Sequence, residues 1–296
     1  MNKRTLALFS ATAVSIIYGL SFTIAKDVMP FYIKPFGFIL IRVIGATILF
    51  WLISVFGPKE IIQLKDFPRI IAASFFGVAL NMLTFFKGLS LTTPISGAVI
   101  MVTTPVIVFL LSSILIKEKF NFQKIFGIFL GFLGTGILIL YGKSIKNAPN
   151  ATLGNIFVFI NAVSYAFYLV IVKKLMDKYN ALTFVKWIYT FGLIMVIPFG
   201  WKEYLEIKWS TMPAFIVYEV IFVVIFTTFF TYLLNLISMR ELKPTTVAVF
   251  IYLQPLFAIL FALFLGKDQL TWIKIISAII IFIGVFLVTK KKSQLL

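Results

Sequence analysis

The chain contains no cysteine and no histidine among its 296 residues. The absence of cysteine excludes disulfide bonds and thiolate nucleophiles, and the absence of histidine excludes imidazole general bases and the commonest ligands of transition metals. Charged residues make up only 12% of the chain, about half of their share in soluble proteins. We therefore expect no metal centre and no cofactor.

Long apolar runs are what the sequence has in excess. Hydrophobic residues make up 61% of the chain, and they are concentrated in runs of about 20 residues, the length of helix that crosses about 30 Å of hydrocarbon. A backbone within lipid must satisfy its own hydrogen bonds, so these runs predict an all-α integral membrane protein with ten transmembrane helices. The predicted helices are Leu6–Ala25, Pro35–Phe56, Ile70–Leu89, Ser96–Ile116, Phe122–Tyr141, Leu153–Val172, Thr183–Phe199, Pro213–Ile237, Thr245–Leu265 and Trp272–Thr289.

The basic residues indicate an orientation in the membrane. The net charge of +17 arises from 27 lysines and arginines, which lie almost entirely between the apolar runs, so we expect no nucleic acid partner. With the amino terminus inside, 17 of them fall on the inner side, 9 on the outer side, and Arg42 lies within a span. The positive-inside rule then predicts a multi-pass protein of the cell (inner) membrane with both termini cytoplasmic, including a basic tail at 290–296.

The second half of the chain repeats the first. A shift of 150 residues aligns the fourth and fifth predicted helices with the ninth and tenth. Because each repeat holds five helices, the second must enter the membrane upside down, as in secondary transporters whose substrate binds near the midplane. The predicted repeats span residues 6–141 and 153–289, joined by an outer loop at 142–152. The aligned pairs include Pro94 with Pro244, Pro105 with Pro255, Glu118 with Asp268, Lys124 with Lys274 and Gly134 with Gly284.

Several short motifs in fixed order resemble the EamA family of the drug/metabolite transporter superfamily. They are Tyr18-Gly19-Leu20-Ser21-Phe22, Arg42 in the second helix, Thr104-Pro105 in the fourth, Glu118 at its end, and Tyr252-Leu253-Gln254-Pro255 in the ninth. The resemblance covers nearly the whole chain. It implies a secondary transporter that exports amino acids or related small metabolites by alternating access, and not an enzyme.

Arg42 and Glu219 are the ionisable residues furthest from any predicted helix end. A charge at that depth costs at least about 2.5–3.5 kcal/mol, so each should face a cavity or a partner. As substrate-binding residues, Arg42 would anchor a substrate carboxylate, and Glu219 would contact an amino group or carry a proton. The alternative is a mutual ion pair that only fixes helix packing, with Lys87 as a rival partner for Glu219.

Pro105 and Pro255 lie within helices at corresponding points of the two repeats. A proline there removes a backbone hydrogen bond and kinks the helix, and matched interruptions of this kind point to a transporter site. We expect the side chains just before them, Thr104 and Gln254, to line the cavity. The alternative is a bend needed only for packing.

Further polar and aromatic side chains complete the predicted cavity. Amides and hydroxyls in the spans can line a polar path, although they also hydrogen-bond between helices, and aromatic rings can form cavity walls or simply face lipid. The complete predicted substrate-binding set is Tyr18, Phe22, Arg42, Asn81, Thr104, Tyr165, Glu219, Thr231 and Gln254.

Three other functions remain open at this point. A membrane-embedded enzyme would need clustered carboxylates, a serine with a base or metal ligands within the spans, and a lipid-translocating protein would need no more than the predicted architecture. A passive channel would show no counterflow. The expected partners are a small-molecule substrate and the lipid bilayer, and a monomer is plausible.

Overall fold

The computed structural model describes residues 2–29, 31–91, 100–119, 121–140, 150–264 and 272–290, and every regular element in these ranges is helical. We number ten helical segments in chain order. They are α1 (Lys3–Val28), α2 (Pro35–Ser54), α3 (67–91), α4 (Thr104–Leu115), α5 (Phe122–Leu140), α6 (Ala151–Met176), α7 (Ala181–Leu205), α8 (Ala214–Glu241), α9 (244–264) and α10 (Trp272–Thr289).

Each predicted transmembrane helix overlaps one of these segments. Within the described residues, six helices are long and apolar enough to cross a membrane, and four shorter ones are also apolar. Several segments extend beyond the prediction, because polar residues at their ends continue the helix outside the apolar run. The start of the fourth predicted helix at 96–99, most of the connecting loop 142–152 and the tail beyond residue 290 lie outside the described residues.

Local sequence explains where the helices begin. Asparagine precedes α1, α6 and α7, and its side chain accepts a hydrogen bond from a backbone N–H of the first turn: Asn2 from Arg4 (3.2 Å), Asn150 from Leu153 (3.1 Å) and Asn180 from Leu182 (3.0 Å). Proline opens α2 and the first part of α9, where its missing N–H has no intrahelical partner to lose.

Three of the segments are internally irregular. α3 changes to π-helical turns at Phe75–Ala79, and α8 does so at Val223–Phe230. α9 changes to a 3₁₀ turn at Phe250–Leu253. Irregular turns within long helices are frequent at functional sites, and these three occur at the middle of the bundle.

Two pairs of helices that the repeat would relate pack against each other in antiparallel directions. Along α2 and α7, a side-chain carbon added at Gly200 would meet Leu40 at 2.7 Å, and the Trp51 Nε1 donates to Thr190 Oγ1 (2.9 Å). Along α5 and α10, a carbon added at Gly127 would lie 2.8 Å from Val288, and one added at Gly134 would lie 3.0 Å from Ile280. Small residues allow this close backbone approach.

The pair α2–α7 is also fastened at both ends by glutamates. Glu203, in the last turn of α7, accepts hydrogen bonds from the backbone N–H groups of Phe36 (2.7 Å) and Gly37 (3.0 Å) at the start of α2. Glu60, beyond the end of α2, accepts from the Asn180 N–H (2.8 Å) and Thr183 Oγ1 (2.6 Å) at the start of α7. Carboxylates suit these positions because the amino end of a helix carries partial positive charge.

A surface ion pair adds to the first of these contacts. The Lys34 ammonium lies 2.6 Å from Glu206, and this hydrogen bond holds the pKa of the Glu206 carboxyl below its usual range. The same hydrogen bond raises the pKa of Lys34. The pair is therefore ionised at neutral pH.

The outer surface of the bundle is apolar. Large hydrophobic side chains are exposed on many helices, among them Phe122 (80%), Ile114 (71%), Ile194 (60%) and Phe215 (58%). Contiguous exposed apolar area of this kind is unfavourable in water and favourable against lipid. Together with the apolar helices, it is the surface of a multi-pass membrane protein.

Gly131 of α5 provides a test of the close packing. A Cβ there would lie 2.2 Å from the ring of the buried Tyr252 on α9, whereas one at Gly136 of the same helix would meet nothing within 4 Å. We expect Gly131→Ala to lower the thermal unfolding midpoint by several degrees, because overpacking costs about 1–3 kcal/mol. Gly136→Ala should leave the midpoint unchanged or raise it, and equal midpoints for both variants would contradict the packing described here.

Candidate functional site

A cavity of about 830 Å³, including its open mouth, lies between the helices. Its wall includes side chains from α1, α2 and α3 of the first half and from α6, α8 and α9 of the second half. The polar lining residues are Tyr18, Ser21, Arg42, Asn81, Asn161, Tyr165, Thr227, Tyr232 and Gln254, and the apolar ones are Ala25, Met82, Phe85, Phe86, Leu89, Met101, Val223 and Ile251.

The position of the lining residues along their helices shows where the cavity opens. On α1 they run from Tyr18 to Ala25, close to the helix end at Val28, and on α3 they run from Asn81 to Leu89, close to the end at Leu91. The cavity therefore extends from the middle of the bundle to the end where α1 and α3 terminate. The distribution of basic residues predicts that this end faces outward, and we call the two ends of the bundle outer and inner on that basis.

The opposite half of the bundle is closed by hydrogen bonds between helices. Tyr232 donates from its hydroxyl to the Gly77 carbonyl, which links α8 to α3 at the floor of the cavity. Nearer the inner end, Ser238 donates to the Ala7 carbonyl (2.9 Å) and Lys173 donates to the Met239 carbonyl (3.0 Å). These contacts join α8 to α3, α1 and α6 below the floor of this cavity.

Glu118 holds a further contact at the inner end. Its carboxylate accepts hydrogen bonds from Thr245 Oγ1 (2.5 Å) at the start of α9 and from Lys124 Nζ (3.3 Å) on α5. A left-handed backbone conformation at Lys117 (φ 52°) directs the chain so that the Glu118 N–H bonds back to the Ser112 carbonyl. The side chain of Glu118 is thereby buried between α4, α5 and α9.

Arg42 is buried in the cavity wall and has a defined set of contacts. Its Nε donates to Thr228 Oγ1 (3.0 Å), and Thr228 in turn donates to the Val223 carbonyl (2.8 Å). The guanidinium carbon lies 4.7 Å from the ring centre of Phe86 and 5.9 Å from that of Phe38. Thr228 and the aromatic rings thus orient the guanidinium.

Five of the predicted substrate-binding residues line this one cavity. They are Tyr18, Arg42, Asn81, Tyr165 and Gln254. The hydroxyl of Thr231 is hydrogen-bonded to that of Tyr18 (3.2 Å), so it lies directly behind the wall. The side chain of Phe22 lies outside the described part of the structure.

Two predicted residues lie away from the wall. Thr104 is fully buried, and its hydroxyl has no hydrogen-bond partner within the described ranges. Glu219 is half-buried on the outer part of α8 and is not a lining residue, and the contacts of Arg42 are with Thr228 and aromatic rings instead. The ammonium nitrogen of Lys87, the proposed rival partner of Glu219, lies 5.9 Å from the ring centre of Phe36.

Both prolines lie in the first turn of a helical stretch that follows an irregular one. Pro105 follows Thr104, the first residue of α4, and residues 102–103 form a turn. Pro255 follows Gln254, the first residue after the 3₁₀ turn of α9. At these positions the missing proline N–H removes no regular helical hydrogen bond.

Sequence reasoning missed several lining residues, chiefly Asn161 and Tyr232. Asn161 lies four residues before Tyr165 and therefore on the same face of α6, a signal that could have identified it. Tyr232 adjoins the predicted Thr231 but lies beyond the π-helical turns, which shift the faces of α8 in a way that the sequence does not reveal.

Comparison with known proteins gives this fold a family. The model of the EamA-like transporter family matches the chain twice, over residues 5–140 and 152–290. The chain belongs to the EamA-like transporter family. The resemblance inferred from the short motifs is thus confirmed.

Curated relatives of this EamA-like chain extend over its whole length. An uncharacterized transporter of Archaeoglobus fulgidus is 25% identical over 99% of this chain and 100% of its own length. The uncharacterized transporter YetK of Bacillus subtilis is 22% identical over 99% of this chain and 90% of its own. A solved crystal structure superposes with a TM-score of 0.77 at 16% identity, covering 96% of each chain, which shows a shared fold.

Proposed function

We propose that this protein is a secondary active transporter that exports amino acids or related small metabolites by alternating access. The observation that carries the proposal is the cavity between the two halves, which is mainly apolar with polar side chains at mid-bundle, opens towards one end and is closed by hydrogen bonds below its floor. The sequence contains no nucleotide-binding motif, so transport would run on a gradient or by exchange.

The architecture we propose is ten transmembrane helices in two inverted repeats, residues 6–141 and 153–289. Three observations support it: the family model matches each half separately, α2 and α7 are antiparallel, and α5 and α10 are antiparallel. Inverted repeats provide two related states, one open outward and one open inward. In this proposal the cavity belongs to the outward-open state, the protein lies in the cell (inner) membrane, and both termini are cytoplasmic.

The proposed partners of the transporter are the small-molecule substrate and the lipid bilayer, and the proposal treats the transporter as a monomer.

Counterflow in proteoliposomes tests the proposal. Vesicles are loaded with a pool of unlabelled amino acids and small organic acids, and a trace of one labelled compound from the pool is added outside. The label should accumulate in the vesicles transiently above its equilibrium level, because a carrier exchanges internal for external substrate. Protein-free vesicles are the control. No accumulation with folded, inserted protein would contradict a carrier and favour a lipid-translocating protein or a membrane-embedded enzyme.

A further inference from the structure

The charge of the cavity wall bears on the chemical class of the substrate. Among the lining residues in the described ranges, Arg42 is the only charged one, and none is Asp or Glu. The Arg42 side chain is 4% exposed, so its charge is shielded from bulk solvent. A cation at this depth costs at least about 2.5–3.5 kcal/mol unless a partner compensates it.

Among the described residues, the guanidinium of Arg42 is hydrogen-bonded on one side only. Nε donates to Thr228, and Phe86 covers one face. No acceptor within the described residues bonds the two terminal nitrogens Nη1 and Nη2, although both belong to a side chain that lines the cavity. A guanidinium fork in this arrangement matches the two oxygens of a carboxylate.

We infer that the transported molecule is a small organic carboxylate that carries no positive charge. Its carboxylate pairs with the Nη1 and Nη2 groups of Arg42 and supplies the missing counter-charge. This inference rests on the proposed transport function and narrows its substrate class from amino acids and related metabolites to carboxylic acids, with zwitterionic amino acids as weaker ligands.

The remaining wall indicates what the carboxylate is attached to. Asn161 is 2% exposed, its Nδ2 donates to the Asn81 carbonyl (2.8 Å), and its Oδ1 has no hydrogen-bond partner within the described ranges. A hydrogen-bond donor on the ligand, for example a hydroxyl, would satisfy this buried acceptor. Met82, Phe85 and Leu89 provide apolar surface for a hydrocarbon skeleton.

An ammonium group fits this wall poorly. It has the same sign as Arg42, and the described wall offers no carboxylate to pair with it. A desolvated charge without a partner is far more costly than a neutral hydroxyl with one hydrogen bond. For one carbon skeleton, the hydroxy acid should therefore bind more tightly than the amino acid, and the amino acid more tightly than the amine.

Ligand-induced stabilisation of the purified full chain in detergent tests this order. Two matched series are used: 3-phenyllactate, phenylalanine and phenethylamine, and 2-hydroxyisocaproate, leucine and isoamylamine. Ligands that bind the folded state stabilise it by RT ln(1 + [L]/Kd), so at one ligand concentration a tighter ligand raises the unfolding midpoint further. In at least one series we expect the hydroxy acid to have a Kd at least about tenfold lower than its amino acid, and the amine to produce no shift.

Two variants assign the effect to Arg42. Arg42→Gln keeps a polar side chain without charge and should abolish stabilisation by the hydroxy acid, whereas Arg42→Lys keeps the charge without the fork and should weaken it about tenfold. If Arg42→Gln does not fold, Arg42→Lys and the wild-type series decide the question. Tighter binding of an amino acid or amine than of its hydroxy acid, unchanged binding in the variants, or no binding by any of the six compounds overturns the inference.

The same compounds in counterflow separate the two proposals. Counterflow with leucine or an amine but with neither hydroxy acid would leave the transport function standing and overturn the substrate class. Binding of a hydroxy acid at Arg42 without counterflow of any compound would overturn the transport function and leave the carboxylate site standing.

Discussion

Leu89→Cys is expected to react with a membrane-impermeant maleimide added to intact cells, whereas Leu236→Cys is not. Leu89 lines the cavity near its mouth, and Leu236 is 1% exposed in the closed inner half of α8. Because the chain has no native cysteine, each variant carries a single thiol and the whole signal comes from that position. Labelling is read on the purified protein after quenching.

Glu241→Cys is the control for sidedness. Glu241 is exposed at the end of α8, on the side assigned to the cytoplasm, so it should react only after the cells are permeabilised. A saturating substrate should also slow the reaction of Leu89→Cys. Reaction of Glu241→Cys in intact cells together with protection of Leu89→Cys would reverse the proposed orientation, and equal labelling of Leu89→Cys and Leu236→Cys would contradict the one-sided cavity.

Glu118→Ala is expected to destabilise the protein by about 3 kcal/mol. The Glu118 side chain is 1% exposed, and its removal leaves the fully buried hydroxyl of Thr245 without its partner and the Lys124 ammonium without its counter-charge. Breaking a buried ion pair by removing one member typically costs about 3–5 kcal/mol, and the lower end applies because Lys124 is 21% exposed. Denaturant or thermal unfolding in detergent measures the effect.

The exposed Glu241 again provides the control, since Glu241→Ala should change the unfolding free energy by less than about 0.5 kcal/mol. Glu118 joins α4, α5 and α9 at the closed end, so its loss should also increase the labelling of a thiol in the inner half, such as Leu236→Cys. A Glu118→Ala protein as stable as Glu241→Ala would show that the buried contact contributes little to the closure.

Sequence reasoning predicted the helices well because the thickness of the bilayer sets the length of an apolar run. It also predicted that Tyr18, Arg42 and Gln254 line one cavity: Tyr18 as an aromatic wall residue, Arg42 as a charge deep within a span, and Gln254 as the polar residue before Pro255. The depth of a residue follows from its distance to a helix end. The direction in which a side chain points around the helix axis depends on how neighbouring helices pack, and the sequence of one helix does not specify that packing.

Glu219 illustrates this limit. Counting along the helices places Arg42 and Glu219 at the same depth, but only Arg42 lies in the cavity wall. The π-helical turns that follow Glu219 in α8 change the rotation between the outer and inner parts of that helix. Apolar periodicity gave no sign of these turns, because the segment 223–230 is apolar on all sides except Thr227 and Thr228.

The reciprocal glutamate contacts of α2 and α7 have a mechanical consequence. A helix held to its neighbour at one end can tilt relative to it, whereas a helix held at both ends can move only together with that neighbour. Glu203 and Glu60 pin α2 to α7 at opposite ends, so the two helices form a strut across the membrane. Arg42 lies on this rigid pair of helices. In a change of access, the helices that close one end of the cavity would therefore move relative to Arg42, and the positive charge would keep its position while the bound substrate becomes accessible from the other side.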